Sequence, residues 1–244
     1  MIIEIVEIIG RATQGVTKPF ICRGEDDQIY FVKGRGAGRR SLICEWVAGT
    51  LARDLGLPIA HFEIVDVPQA LIQLGSRSDL SELGAGPAFG SQKILLVELS
   101  VSHMEHVSDS LKQDVLAFDW WVQNADRTLS IEGGNPNLFW AVNENKLVVL
   151  DHNQAFDLHF SGPNFVDSHA FNEQFSTISE DCFVQAQYCA RFEAVVAGWD
   201  SICNTVPSEW WFIDPECTLP VNFDRADIKQ RLLECRRDDF WKMK

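Results

Sequence analysis

The run "SLICEWVAGTLARDL" at 41–55 constrains this chain more than any other stretch. It reads as a helix that stops at Gly56, with Pro58 just beyond. At about 100° per residue, Leu42, Ile43, Trp46, Val47, Leu51 and Leu55 cover most of its circumference. A helix apolar nearly all round is largely buried. Glu45 is the only charge in its first three turns. A lone buried carboxylate is costly unless a cation meets it. The fold must therefore wrap this helix and supply Glu45 with a partner.

The segments on either side suggest how. Ile- and Val-rich residues 2–9 read as a strand, followed by the polar loop "GRATQGVTKPF". Residues 20–24 and 28–33 form a hairpin across the turn "GEDDQ". Its second strand, "QIYFVK", ends at Lys33, and the loop "GRGAGRR" comes next. Further strands are expected at 61–67 and 93–99, a helix at 111–124, and a short hairpin at 137–142 and 146–151. Beyond that the pattern turns helical, notably at 181–203 and 225–243. A sheet with one helix followed by mostly helix is an α+β arrangement. It predicts a β-rich lobe over 1–99 and a mainly helical lobe over 100–244.

Composition narrows the function. The chain has 244 residues, enough for one large domain or two small lobes. Its formal net charge of −14 argues against a nucleic-acid backbone as partner. Lys33, Arg35, Arg39 and Arg40 still make a local basic patch, which an anion such as a nucleotide could use. Seven cysteines without a C-x-x-C argue against a disulfide framework or a structural zinc site, and point to a reducing cytosol. The N-terminus "MIIEIVEIIG" carries Glu4 and Glu7 and no basic residues, so it reads as a strand rather than a signal peptide. No 18-residue apolar run is present to span a membrane.

The chemistry concentrates at "NADRTLSIEGGNPNLFW" and "VVLDHNQAF". Asp126 and Asp151 stand at element ends with two asparagines between them, a pattern of hard-cation ligands or of a base beside a metal. Together with the glycine-containing loop, Lys33 and Glu45, this is the inventory that phosphoryl transfer from ATP requires. His152 reads as a packing residue beside the second carboxylate. Trp46, Trp120, Trp121 and Trp140 read as core.

The stretches "GVTKPFICRGEDDQIYFVKGRGAG", "LICEWVAGTLARDLGLPIAHFEIV", "GPAFGSQKILL", "NADRTLSIEGGNPNLFW" and "KLVVLDHNQAF" resemble, in order, the HipA-like kinase family, in particular its short stand-alone branch. The resemblance covers roughly residues 8–157 and loosens in the C-terminal third. It implies a protein-kinase-like two-lobed fold and ATP- and Mg2+-dependent transfer to a hydroxyl, Ser or Thr on a protein. It also implies site roles. Lys33 would contact the α- and β-phosphates, with Glu45 holding it. Gly15 and Thr17 would lie in the loop over the phosphates. Glu98 and Leu99 would meet the adenine through backbone groups. Asp126 would be the catalytic Asp and Asp151 the Mg2+-binding Asp.

The family's loop Asn follows its Asp by five positions, whereas Asn135 follows Asp126 by nine and Asn137 directly precedes the "LFW" strand. Both asparagines remain candidates for the metal. The chain is shorter than full-length HipA toxins, so the toxin–antitoxin partner and substrate do not carry over. The longer loop also leaves open a pseudokinase-like module that binds nucleotide or protein without turnover. A nucleotidyl transferase on the same fold is a third reading.

Overall fold

The computed structural model describes residues 2–13, 18–129 and 133–242, without the side chains of residues 101 and 102. The chain divides into two compact units. One comprises residues 1–46, 60–95 and 207–222; the other comprises 47–59, 96–206 and 223–244.

Five strands make the first unit: β1 (Ile3–Arg11), β2 (Phe20–Gly24), β3 (Ile29–Lys33), β4 (Phe62–Val67) and β5 (Gly86–Gln92). They close in the order β1-β2-β3-β5-β4, with β1 and β4 parallel through Ile3↔Val65 and Glu4↔Asp66. Period-two alternation turns Phe20 and Cys22 of β2, and Tyr30 and Val32 of β3, into the core with Ile5, Val65, Val67 and Ala88. The β2–β3 turn is fixed locally. Gly24 N–H donates to the Gln28 carbonyl at 2.9 Å, and the Asp26 carboxylate accepts from Gln28 N–H at 3.1 Å.

The helix α1 (Arg39–Leu55) begins in the first unit and, from Val47, counts with the second. Every residue from Leu42 to Ala52 is buried, as its all-round apolar surface requires. It ends in a Schellman motif: Gly56 N–H bonds the Arg53 carbonyl and Leu57 N–H the Ala52 carbonyl, both at 3.0 Å. Two short helices follow, α2 (Gln69–Leu74) and α3 (Leu80–Leu83).

The expected strand at 93–99 resolves differently. Lys93 N–H still bonds into the barrel at the Ile29 carbonyl (2.7 Å), but only Leu96–Glu98 form a strand, β6, and it pairs with a separate sheet. That sheet is β6-β7-β8, with β7 (Leu138–Ala141) and β8 (Lys146–Val149) forming the expected hairpin.

The rest of the second unit is helical. α4 (Val101–Met104) precedes α5 (Asp109–Trp121), whose cap Ser108 accepts from Leu111 N–H. Then come α6 (Gly162–Ser168), α7 (Phe175–Ser179), α8 (Cys182–Val196), α9 (Trp199–Thr205) and α10 (Arg225–Leu232). The expected helix at 181–203 is two helices, broken around Gly198. The run at 225–243 stops at Leu232 and continues in short 3-10 turns at Leu233–Arg236 and Phe240–Lys242. Asp181 and Asp224 start α8 and α10 by accepting two backbone N–H bonds each. No helix among the described residues is long and apolar enough to cross a membrane.

Candidate active site

In the first unit, the end of β3 delivers Lys33 to Glu45 on α1. The Lys33 ammonium donates to Glu45 Oε1 in a close ion pair. The lysine side chain is 12% exposed and the glutamate 3%. The carboxylate flagged by its apolar helix is thus buried and met by the strand-end lysine.

In the second unit, the segment after α5 carries Asp126. Its Oδ2 accepts from Asn137 Nδ2 at 3.0 Å and from Asn135 Nδ2 at 3.3 Å, so both candidate asparagines reach the same oxygen. The approach depends on Gly134: a Cβ there would lie 2.3 Å from the Thr128 carbonyl oxygen, which only glycine avoids. Asn137 and Asp151 both hold left-handed backbone, with φ of 49° and 58°. Non-glycine residues persist in that region only where surrounding contacts over-determine them, often at functional sites.

Those contacts come from Arg127, which is wholly buried. Its Nε donates to Asp119 Oδ2 at 2.6 Å. Its Nη1 reaches the carbonyls of Pro136, Asn137 and Leu150 at 3.1, 3.0 and 3.2 Å. One guanidinium therefore ties the backbone at Asn137 to the backbone just before Asp151. Asp119, on α5, is itself held by Asn124 Nδ2 at 2.8 Å and His169 Nε2 at 3.1 Å. The segment around His169 is also bonded to the loop backbone: Leu129 N–H to the Ser168 carbonyl and Ala170 N–H to the Arg127 carbonyl, both at 3.0 Å.

The electrostatics of the two aspartates differ. Burial, and then the charge of Asp151, pushes the Asp126 carboxyl above its ordinary value, against the hydrogen bonds from Asn137 and Asn135 and the charge of Arg127. Burial also pushes Asp119 upward, but the Arg127 charge and the His169 hydrogen bond outweigh it and hold that carboxyl well below the usual range. Asp119 is compensated by Arg127 and His169, whereas Asp126 stands in the field of a second carboxylate, Asp151.

Two carboxylates with amide groups alongside make a hard-oxygen donor set suited to Mg2+. Among the described residues, no group of three or more His, Cys, Asp and Glu could hold a metal ion. Mg2+ takes one or two carboxylates and completes its shell with phosphates and water.

The remaining predicted positions are less telling. Glu98 is exposed at the end of β6, and Leu99 N–H bonds the Leu138 carbonyl at 3.3 Å. Gly15 and Thr17 lie outside the described residues. His152 is buried, its ring edge-on to Phe118 at 5.8 Å. The Asp119–Arg127–His169 network was not anticipated. A signal for it existed, since Asp119 stands alone in the apolar run "VLAFDWWV" much as Glu45 stands alone in α1.

The family model for HipA-like kinase matches residues 5–244. Among solved structures, the crystal structure of a Helicobacter pylori proinflammatory kinase, CtkA, aligns over 99% of this chain and 97% of that one. The TM-score is 0.57 and the identity 11%, a likeness in fold. The open conformation of CtTel1 aligns over 96% of this chain but 11% of that one, at 12% identity and a TM-score of 0.33, too low to carry an argument. A comparison with curated proteins gave no match. With the family model spanning nearly its whole length, the chain belongs to the HipA-like kinases.

Proposed function

We propose that this kinase adopts the two-lobed protein-kinase arrangement and transfers the γ-phosphoryl group of ATP, with Mg2+, to a Ser or Thr hydroxyl on a protein. The observation that carries the reading is the convergence of both asparagine amides on Asp126, with Asp151 close enough to act on its charge and a buried arginine bonding the backbone at Asn137 and just before Asp151. Neighbouring carboxylates with amides alongside are a common way to hold a cation next to a reacting group.

The geometry supports the following roles. Both asparagine amides converge on Asp126 Oδ2, which leaves Oδ1 to orient the acceptor hydroxyl and take its proton as the new P–O bond forms. The raised affinity of Asp126 for a proton suits it to accept one late in transfer. Asp151, with the amide oxygen of Asn137 or Asn135, would hold Mg2+. Such an ion would supply positive charge to offset the negative charge that develops during transfer. Lys33, steadied by Glu45, would contact the α- and β-phosphates, and Gly15 and Thr17 would lie over them. Glu98 would offer its carbonyl to the adenine.

The test has two arms. Mg2+-ATP at 100 times its Kd should stabilise the fold by about 2.7 kcal/mol, read as a thermal shift that requires both metal and nucleotide. Labelled γ-phosphate should then appear on serine or threonine of the chain itself or of a lysate protein. No shift at millimolar Mg2+-ATP sinks the nucleotide reading. A shift without transfer to protein, lysate or water leaves a nucleotide-binding pseudokinase, and transfer of labelled AMP instead would make the chain a nucleotidyl transferase.

A further inference from the structure

Seven free cysteines are spread over the chain, and among the described residues one contact joins two of them: Cys189 Sγ to Cys235 Sγ at 3.5 Å. Cys189 lies on α8 and is partly exposed; Cys235 lies in the 3-10 turn Leu233–Arg236 and is buried. From the placement of these two sulfurs we infer that Cys189 and Cys235 are an oxidisable dithiol, which a peroxide converts to a disulfide pinning the C-terminal turn to α8. The inference is independent of the kinase reading.

The geometry permits closure. A disulfide sulfur–sulfur bond is about 2.0 Å long, so the two atoms must approach by about 1.5 Å from their present 3.5 Å. The turn that must give is short and follows α10. Its other anchors already point it at the same place. Trp241 Nε1 donates to the Cys235 carbonyl at 2.9 Å, Trp121 Nε1 to the Leu232 carbonyl at 2.8 Å, and Arg236 pairs with Glu193 on α8. Trp121 and Trp241 each stack on Phe192, one turn along α8 from Cys189. The disulfide would add a covalent link where stacking and hydrogen bonding already converge.

The order of steps follows from exposure. The Cys189 thiolate attacks the peroxide: an S–O bond forms, the O–O bond breaks, and the departing hydroxide takes a proton to become water. Cys235 then attacks the Cys189 sulfur: the S–S bond forms, the S–O bond breaks, and the Cys235 proton leaves with the hydroxyl as a second water. The two thiols together lose two electrons and two protons, and the peroxide is reduced to two waters. Burial, reinforced by its contact with Cys189, pushes the Cys235 thiol far up from its ordinary value. Cys235 is thus the poorer first target for the oxidant, and its place 3.5 Å from Cys189 puts it in reach of the sulfenic acid.

The experiment is peptide mapping of the full chain, without reductant, after titration with hydrogen peroxide, paired with a thermal scan. The expected product is a Cys189–Cys235 linked peptide, two hydrogens lighter than its reduced parts, with Tm raised by about 5–10 °C. Dithiothreitol should reverse both. Cys189→Ser should abolish both changes while keeping the reduced wild-type Tm, because the side chain it alters is partly exposed. The inference is overturned if Cys189 runs on to sulfinic acid with Cys235 unlinked, if the bridge forms instead to exposed Cys182 or Cys217, or if Cys189→Ser keeps the peroxide-induced shift. Cys235→Ser serves as a second check: it should leave Cys189 trapped as sulfenic acid, captured by dimedone, and absence of that adduct counts against the order of steps.

Discussion

Two helices of this chain each carry one carboxylate in an apolar run, and the chain treats them differently. Glu45 on α1 meets an ammonium that is 12% exposed at the end of a strand. Asp119 on α5 meets a guanidinium, an imidazole and an amide, all buried. A lysine is a compact point charge with rotatable donors, able to turn toward another anion while it keeps its partner. An arginine is a fixed planar fork, and here the fork is committed to Asp119 and to backbone carbonyls. The first pair is arranged to present charge, and the second to fix the path of the chain around Asp126 and Asp151.

The largest effect should come from removing the fork. Arg127→Met leaves Asp119 charged and buried without its main partner and frees three carbonyls, so it should cost about 3–5 kcal/mol, measured by urea unfolding. Arg127→Met with Asp119→Asn should recover much of that loss, since no buried charge then remains. A single variant within 1 kcal/mol of wild type would break the contrast between the two pairs.

Next is the split between the two site aspartates. Asp126→Asn should cut phosphoryl transfer by about 10²-fold or more while leaving Mg2+-ATP binding nearly intact. It should also raise Tm at neutral pH. A carboxyl whose folded affinity for protons is raised makes the fold less stable once pH exceeds that pKa, so deleting the charge stabilises. Asp151→Asn should instead weaken metal-dependent nucleotide binding. Of Asn135→Ala and Asn137→Ala, the one that raises the Mg2+ requirement identifies the ligand; the burial of Asn137 and its shorter bond to Asp126 favour it. If Asp126→Asn transfers phosphate at the wild-type rate, Asp126 is not the proton acceptor.

How far all this was legible in the sequence depends on whether the signal was local. Glu45 was, because an apolar helix with one charge announces a buried pair, and the strand-end Lys33 stood twelve residues away to meet it. Asp119 gives the same signal, but Asp109 and Asp114 on the same helix make it look less alone. Its partner His169 is fifty residues on, with no periodicity to link them. Strand β5 was hidden by its own composition, since "GPAFGSQ" reads as a loop. The structure gives the reason: a Cβ at Gly90 would lie 2.6 Å from Val65 on β4, so the strand needs glycine to pack. The two asparagines could not be separated by spacing, because the left-handed turn at Asn137 and the close pass at Gly134 bring both to one oxygen.

A third effect probes the presenting pair. Lys33→Met should abolish most transfer yet cost only about 1–3 kcal/mol of stability. The lysine end of the pair is 12% exposed, so water can enter the space that the ammonium vacates. Lys33→Arg should keep stability near wild type but not restore transfer, because a planar fork cannot replace the rotatable ammonium. Full transfer by Lys33→Arg would mean that charge alone matters there.

The smallest effect is a slope in pH, and it belongs to the committed network alone. Phe171 N–H donates to His169 Nδ1 at 3.1 Å, so that nitrogen carries no proton. The ring is therefore neutral, with its one proton on Nε2 facing Asp119 Oδ2 at 3.1 Å. Burial lowers the His169 pKa below its ordinary value, although Asp119 pulls the other way. In the window from about pH 6.5 down to that lowered value, the unfolded chain binds a proton that the folded chain does not. Stability should fall as pH falls through this window, by at most about 1.4 kcal/mol per pH unit. His169→Gln should flatten that part of the curve, read as urea midpoints at pH 7.5, 6.5 and 5.5. If wild type and His169→Gln show the same slope, the imidazole is not held neutral by the Phe171 amide. The two buried carboxylates would then be more alike than their partners imply.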